Sequence, residues 1–334
     1  MKIGIYSDPH ITKKIQGLDN EWRSSILETF RDMYQTFREN GVDFIICCGD
    51  FFDKSILEAK HASLLNDIVK EFGNKKTFML LGNHEIDSND YNILEVMSGY
   101  EQVTAVTDLM SIYGITFVPY NFNLKDVPEY LIKDNVVVTH HDIYGSVLAG
   151  GKVKASFGED PNILSEARIV FNGHIHLRSV LGNIHNVGSL FSTQFGELHE
   201  GSKDHPCYYI YDTESGNLQT FPNLKSIHFI AVNNTESDGK LLEYYKELGV
   251  PISLRISYDY SKDETSYVVA NSEDDFLNVS YRKNIKKGLS NTEVKRSETL
   301  DIRALISSYI NRDEDLSDDD KFRIIKKSLD ILGG

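Results

Sequence analysis

Polar residues follow five short apolar runs in the first half of this sequence, and this repetition constrains the fold more than any other feature. Apolar runs of four to eight residues bounded by glycine and polar residues are typical of buried strands. Functional side chains in α/β folds collect in the loops beyond the carboxyl ends of strands, so we expect these loops to meet at one rim. The loops are Ser7-Asp8-Pro9-His10, Gly49-Asp50-Phe51-Phe52-Asp53, Gly82-Asn83-His84-Glu85, His140-His141-Asp142 and Asn172-Gly173-His174-Ile175-His176.

Segments with helical periodicity separate the predicted strands. Apolar residues recur at helical spacing in residues 21–40 and again in residues 57–72. Two further strands, at residues 207–211 and 218–221, are joined by a turn at Gly216-Asn217. This alternation predicts a layered α/β (α+β) fold for the first two thirds of the chain.

Seven side chains in the five loops are carboxylates, imidazoles or an amide, which are ligand types for Mn²⁺, Fe²⁺ or Zn²⁺. Seven ligands suit two ions with one shared carboxylate, and Asp50 at a strand end is the candidate for the shared position. In Asp8-Pro9-His10 and His174-Ile175-His176, an extended chain sends both ligands to one side. The candidates are Asp8, His10, Asp50, Asn83, His140, His174 and His176.

Each pattern is weak by itself, because an isolated Asp-x-His pair is most often a surface or turn feature. Five such patterns, each directly after an apolar strand, favour a metal site over coincidence. In the fourth loop, the residue pattern leaves open whether His140 or His141 is the ligand.

The order Asp-x-His, Gly-Asp-x-x-Asp, Gly-Asn-His-Glu, His and Gly-His-x-His resembles the calcineurin-like metallophosphoesterase superfamily over about residues 1–222. The resemblance implies a four-layer β-sandwich flanked by helices and a centre of two divalent metal ions. Mn²⁺ is the expected metal, and Mg²⁺, Fe²⁺ and Zn²⁺ are also compatible. By matching motif positions, Asp8, His10, Asp50 and His176 would hold one ion, and Asp50, Asn83, His140 and His174 the other. The family's ligand directly follows the strand, which favours His140 over His141.

The resemblance also implies roles for two residues that are not ligands. His84 matches the histidine that stabilises developing charge or protonates the leaving oxygen, so we predict it to be the general acid. Asp53 is predicted to orient a neighbouring histidine or ligand. The competing interpretation of Asp53 is a cap on the helix that follows it. The implied reaction is attack of a two-metal-activated water on phosphorus.

Within the superfamily, three segments resemble the nuclease subunit of SbcC/SbcD-type DNA repair complexes, including phage recombination nuclease subunits. Glu85, where that family has aspartate, and Pro9 depart from its pattern, although neither is a ligand. The resemblance implies an exonuclease or endonuclease acting on DNA ends, a coiled-coil ATPase partner and a homodimer. The segments are Cys48-Gly49-Asp50-Phe51-Phe52-Asp53, Asn172-Gly173-His174-Ile175-His176 and Asn186-Val187-Gly188-Ser189.

Two other functions stay open. One is a stand-alone phosphodiesterase or phosphatase that acts on a nucleotide or a phosphoprotein. The other is a non-catalytic scaffold for an ATPase partner, although an idle site has no physical reason to keep seven ligand types and His84.

The predicted domain plan has three parts. Residues 1–222 form the nuclease domain, residues 223–290 a small α+β capping domain, and residues 291–334 a helical segment that binds the ATPase. The predicted helices 300–310 and 318–332 carry apolar stripes that could pack on the chain's own core or on a partner. The acidic loop that separates the two helices favours a partner.

The net charge and the cysteines limit the expected binding partners and cellular compartment. The net charge of −15 disfavours a basic DNA-binding face on this chain alone, although bound cations can reverse the sign locally. The three cysteines have no zinc-ligand spacing and indicate a reducing, cytoplasmic compartment, which is a host cytoplasm if the source is viral. No window approaches 18 apolar residues, so no membrane segment is expected.

Overall fold

The computed structural model describes residues 1–15, 17–87, 91–148, 153–195, 197, 205–232, 236–259 and 276–284. These residues fall within one compact unit, Met1–Ile285. The segment 291–334, predicted to be helical and to bind an ATPase, lies outside the described residues.

Strands outnumber helices among the described residues. The strands are β1 (Lys2–Tyr6), β2 (Phe44–Cys47), β3 (Thr77–Leu80), β4 (Val103–Val106), β5 (Met110–Ile112), β6 (Ile115–Val118), β7 (Val136–Thr139), β8 (Ile169–Asn172), β9 (Ser179–Leu181), β10 (Ile184–Asn186), β11 (Cys207–Asp212), β12 (Leu218–Pro222), β13 (His228–Val232), β14 (Ile252–Asp259) and β15 (Asn278–Asn284). The helices are α1 (Asp19–Glu39), α2 (Ala59–Phe72), α3 (Glu129–Ile132) and α4 (Glu236–Glu247). Shorter 3₁₀ turns cover Asn83–Glu85, Ile93–Gly99, Leu124–Asp126 and Pro161–Leu164.

Two six-stranded mixed sheets form the centre of the fold. The first has the strand order β12-β11-β1-β2-β3-β4, and the second has the order β5-β6-β7-β8-β10-β9. Strands β1 to β4 are parallel to one another, as are β6, β7, β8 and β10. The remaining neighbours, which are β12 with β11, β11 with β1, β5 with β6 and β10 with β9, are antiparallel.

Strand alternation divides the core into three apolar layers. In β2, Phe44 and Ile46 join the layer between the two sheets, whereas Ile45 points to the layer under α1 and α2. In β7, Val136 and Val138 share the inter-sheet layer, and Val137 packs under the short helices on the outer face. A strand buried on both faces reads as a continuous apolar run, which is the pattern in the sequence. The result is the predicted four-layer sandwich.

Helix α1 covers the first sheet with an aromatic face. Phe30 is fully buried, and its ring contacts Tyr6, Phe51 and Phe72 with centroids 5.8, 6.1 and 6.2 Å away. Phe51 directly follows Asp50, so the helix also packs against a side chain of a predicted ligand loop. Full burial of one such ring contributes about 1.5–3 kcal/mol.

A third, smaller sheet follows the sandwich. Strands β13, β14 and β15 pair in parallel in that order, and α4 packs its Leu242 and Tyr245 against β13 and β14 residues. The side-chain amide of Asn223, just before the third sheet begins, donates to the Leu190 carbonyl at 2.7 Å. This hydrogen bond connects the chain before β13 to the sandwich. None of the helices in the described part of the chain has the length and apolar character needed to cross a bilayer.

Candidate metal centre

Five loops from both central sheets meet at one site. The loops after β1, β2 and β3 come from the first sheet, and those after β7 and β8 come from the second. The sequence predicted one rim, and the structure shows that this rim is the joint edge of two facing sheets. Parallel strands in each sheet direct their carboxyl ends the same way, so both sheets contribute side chains to one cluster.

The backbone at the site is not the extended chain that the sequence predicted for the Asp-x-His and His-x-His pairs, because it adopts a conformation that most residues avoid. Asp8, His10, Asp50 and His174 have positive φ angles of 49°, 44°, 50° and 66°. Neighbouring loops hold them there, because the His10 amide donates to the Asp50 carbonyl at 3.1 Å, and the Asp8 amide donates to that of Gly49 at 3.1 Å. Non-glycine residues in this region cost on the order of 1–3 kcal/mol each and cluster at functional sites.

Two glycines leave room for the ligand side chains. Gly49 has a φ of +110°, and an added Cβ there would collide with the His140 ring. An added Cβ at Gly82 would collide with the carboxylate and the backbone nitrogen of Asp50. These contacts explain why glycine precedes both Asp50 and Asn83 in the sequence motifs.

A first group of donor atoms comes from Asp8, His10 and His176. These atoms lie within 4.8 Å of one another. The two Nε2 atoms of His10 and His176 are 3.0 Å apart, and the Asp8 carboxylate is 3.8 Å from His176 Nε2. Asp8 is fully buried, and it accepts hydrogen bonds from the Ser7 hydroxyl and, at 3.1 Å, from the His174 amide.

A second group comes from Asp50, His140 and His174, again within 4.8 Å of one another. The Asn83 side-chain oxygen lies against this group, 3.2 Å from His140 Nε2 and 2.8 Å from His174 Nδ1. His140 is fully buried, and its Nδ1 donates to the Cys48 carbonyl at 2.7 Å. This hydrogen bond orients the ring, so Nε2 is the nitrogen that points into the group.

Asp50 lies between the two groups. One of its carboxylate oxygens is 3.3 Å from His140 Nε2, 3.8 Å from His10 Nε2 and 3.9 Å from His84 Nε2. Its other oxygen accepts from the His84 backbone amide at 3.0 Å. The Asp50 carboxylate thus approaches a histidine of each group, as a shared ligand must.

The electrostatics of the cluster are those of a site built for cations. Burial alone would raise the pKa of Asp50, but the charge and hydrogen bond of His140 outweigh it and hold this pKa well below its usual range. Burial opposes protonation of His140, yet Asp50 and Asp8 raise its pKa to about 9. Burial and the neighbouring His176 lower the pKa of His10 well below its ordinary value. The Asp50 carboxylate therefore stays charged and draws positive charge to itself.

The residues present fit two divalent ions. The donors are oxygens and imidazole nitrogens with no sulfur, the set that suits Mn²⁺, Fe²⁺ or Zn²⁺. In the first group, the Nε2 atoms of His10 and His176 face each other beside the Asp8 carboxylate. Two imidazole nitrogens that face each other beside a carboxylate are typical of a cation site.

The structure turns His141 away from the cluster. Its Nε2 donates to the Phe122 carbonyl at 2.9 Å, and its Nδ1 interacts with the Thr139 hydroxyl. Burial lowers the pKa of His141 to about 4, so the ring is neutral at neutral pH. Of the two adjacent histidines, His140 is the one that the fold brings to the donor groups.

His84 and Asp53 lie at the open side of the cluster. His84 is 42% exposed, its Nδ1 donates to the Asp53 carbonyl at 3.0 Å, and its Nε2 faces Asp50. The Asp53 carboxylate lies 3.7 Å from His10 Nδ1 and 3.9 Å from the Lys13 ammonium. Helix α2 begins at Ala59 with Glu58 as its cap, so Asp53 does not cap it.

The match to a family model decides the identification. The model described as "Calcineurin-like phosphoesterase" matches residues 1–178, more than half of the chain. This chain belongs to the calcineurin-like phosphoesterase family. The match confirms the family resemblance and the predicted sandwich, and it makes the chain a phosphoesterase of a family that uses divalent metals.

Relatives of this calcineurin-like phosphoesterase include a phage protein. The chain is 22% identical to "Exonuclease subunit 1" of Enterobacteria phage T4 over 364 residues, covering 98% of this chain and 97% of that protein. This similarity is consistent with the resemblance to phage nuclease subunits.

Solved structures with similarity to the chain cover about two thirds of it. TT1561 of Thermus thermophilus has a TM-score of 0.39 and 14% identity, covering 66% of this chain and 98% of that one. Nuclease MPE of Pseudomonas putida has a TM-score of 0.33 and 14% identity, covering 66% of this chain and 87% of that one.

Sequence reasoning assigned no role to three carboxylates at the site. Asp142 pairs with His174 Nε2 at 3.0 Å, and Glu197 accepts from His176 Nδ1 at 2.8 Å. Glu85 is fully buried and accepts from the amides of Gly82 and Phe52 at 2.8 and 3.2 Å. Burial and Asp50 raise the pKa of Glu85 to about 8. Asp142 and Glu85 lie within the strand-end loops, so their sequence positions could have indicated that they lie at the site. Glu197 lies outside these loops and has no such signal.

Proposed function

We propose that this chain is a metal-dependent phosphodiesterase that cleaves DNA, acting as the nuclease subunit of an SbcCD-like complex. The observation that carries the proposal is the pair of donor groups joined by Asp50, with His84 exposed beside them. Two ions about 3.5–4 Å apart are the arrangement used for in-line displacement at phosphorus.

We propose the ligand set predicted from the sequence for this role. Asp8, His10 and His176 would hold one ion, Asn83, His140 and His174 would hold the other, and Asp50 would bridge them. When bound, the ions would activate a water nucleophile and neutralise charge on the phosphate oxygens. Mn²⁺ is the metal we propose from the family resemblance, and oxygen and imidazole donors without thiolate are compatible with it.

His84 is proposed to donate the proton to the leaving oxygen. Its Nδ1 is engaged by the Asp53 carbonyl, which leaves Nε2 as the atom that faces the cluster. The 42% exposure of the side chain gives a substrate access to it. With both ring nitrogens protonated, the proton on Nε2 would lie between the cluster and the incoming substrate, where a general acid must hold it, and its transfer to the leaving oxygen would leave the neutral ring. Asp53 is proposed to position His84 through its carbonyl and His10 through its carboxylate.

DNA as the substrate is supported by the phage relative, whose name is that of an exonuclease subunit and which aligns over nearly its whole length. The domain plan proposed from the sequence gives a nuclease domain, a capping domain and a helical segment for a coiled-coil ATPase. An ATPase partner would supply the basic DNA-binding face that a chain of charge −15 lacks. We further propose a homodimer that works in the cytoplasm, a host cytoplasm if the source is viral.

The test is to incubate the full chain and Mn²⁺ with end-labelled linear DNA, single- and double-stranded, beside a His84→Ala control. The proposal predicts release of nucleotides by the wild-type chain and at least about a hundredfold less by His84→Ala. A small synthetic phosphodiester is assayed in parallel. Hydrolysis of the small diester without DNA cleavage, also in the presence of an ATPase partner, would favour the stand-alone phosphodiesterase. No hydrolysis of either, with no bound metal, would favour the scaffold.

A further inference from the structure

Glu197 is a buried carboxylate that contacts a proposed ligand and not the cluster itself. It is 5% exposed, and it accepts a hydrogen bond from His176 Nδ1 at 2.8 Å. This hydrogen bond sets the tautomer of His176, so the lone pair of Nε2 faces Asp8 and His10. A carboxylate in this position orients the ring and increases the basicity of the ligating nitrogen.

The chain around Glu197 fixes the carboxylate before any ion binds. The backbone amides of Thr193 and Gln194 donate to its Oε2 at 2.5 and 3.1 Å. The Thr193 hydroxyl donates to Oε1 at 3.0 Å, so both oxygens are occupied. Side chains held by several hydrogen bonds keep the geometry that a site needs.

The same stretch of chain is attached to the third sheet. We call residues 192–195 and 197 the support segment. The Ser192 amide donates to the Ser226 hydroxyl at 3.1 Å. The Phe195 ring contacts Phe229 of β13, at 5.4 Å, and the Arg255 guanidinium of β14, at 3.8 Å. The support segment therefore contacts the third sheet on one side and His176 on the other.

We propose that Glu197 is a positioning residue for His176, and that the third sheet sets the ion affinity at His176 through the support segment. The inference rests on the proposed function, because it takes His176 to hold one of two ions. Through these contacts, a shift of the third sheet would change the ion affinity at His176. It would leave the affinity of the other ion unchanged.

The experiment is a calorimetric titration of Mn²⁺ into the full chain and its variants, with circular dichroism to check folding. Glu197→Gln is expected to bind one of two ions about 10–100-fold more weakly and the other with unchanged affinity. Phe195→Leu keeps an apolar side chain but removes the ring beside Arg255. It is expected to weaken the same ion by about two- to fivefold. Selective loss at one ion separates positioning from a general structural defect.

Two exposed positions on α3 provide matched controls. Glu129→Gln repeats the change made at Glu197, and Tyr130→Leu replaces an aromatic ring by leucine as at Phe195. Both control variants should bind both ions as the wild type does. Wild-type affinities in Glu197→Gln, or equal weakening of both ions, would overturn the inference while the proposed function stands. If Glu197→Gln does not fold, Phe195→Leu decides the question by the same criterion. A wild-type chain that binds fewer than two ions would overturn the proposed function and this inference together.

Discussion

Several imidazole rings at the site have their orientation set by a hydrogen bond from the nitrogen that faces away from the proposed ions or substrate. The Cys48 carbonyl fixes His140, the Asp53 carbonyl fixes His84, and Glu197 fixes His176. The strand-end pattern predicted which residues gather at the site. It could not predict Glu197, because that carboxylate meets His176 only when a chain segment 21 residues further on folds back.

The role of His84 gives a prediction at the residue scale. His84→Ala should lower kcat by about 10²–10⁴-fold, because proton donation to the leaving oxygen is lost. Mn²⁺ affinity should stay unchanged, since His84 is not a proposed ligand. Steady-state kinetics and a metal titration measure the two effects. His185→Ala, on β10 and outside the cluster, is the control and should retain activity. A tenfold or larger loss of metal affinity in His84→Ala would argue for a ligand role instead.

The close approach of Gly49 to His140 gives a second prediction. Gly49→Ala should lower the free energy of unfolding by about 1–3 kcal/mol from strain at its φ of +110°. It should also weaken Mn²⁺ binding, because the new Cβ displaces the His140 ring. Gly41→Ala is the matched control, since its φ is +65° and nothing lies within 4 Å of an added Cβ. Urea unfolding measures the stability and metal titration measures the Mn²⁺ affinity. Equal Mn²⁺ affinity in the two variants would show that the His140 ring does not need the space at Gly49.

At the level of single elements, helical periodicity in residues 21–40 and 57–72 located α1 and α2, and the five apolar runs located β1, β2, β3, β7 and β8. Strands β4, β5, β6, β9 and β10 were not predicted. The sequence could not assign the strands to sheets, because runs buried on both faces look alike in either sheet. Ile45 and Ile46 are adjacent and equally buried, yet they face different layers of the core. Pairing partners far apart in the chain, such as β1 with β11, carry no local signal.

The aromatic face of α1 gives a prediction at this scale. Phe30→Ala should lower the free energy of unfolding by about 3–5 kcal/mol, because it leaves a cavity among Tyr6, Phe51 and Phe72. Urea denaturation measures the change. Tyr130→Ala, at a side chain that is 75% exposed, should change stability by less than about 0.5 kcal/mol. If Phe30→Ala lowered the free energy of unfolding as little as Tyr130→Ala does, the packing of α1 would not stabilise the first sheet.

At the scale of the whole molecule, the two central sheets each contribute part of one charged cluster. Ligand binding to the native state alone stabilises it by about 2.7 kcal/mol at a hundredfold excess over Kd. Mn²⁺ should therefore raise the Tm by several degrees, and EDTA should reverse the rise. Asp50→Asn should abolish most of the shift in thermal melts, because Asp50 contacts both groups. A full shift in Asp50→Asn would mean that the stabilising ions bind elsewhere.

We propose that the loops of both sheets build one two-metal centre around Asp50. The most direct measurement is anomalous X-ray diffraction from crystals of the chain grown with Mn²⁺. We expect two anomalous peaks about 3.5–4 Å apart, one beside His10 and His176, the other beside His140 and His174, with Asp50 between them. A single peak, or two peaks that do not share Asp50, would contradict it.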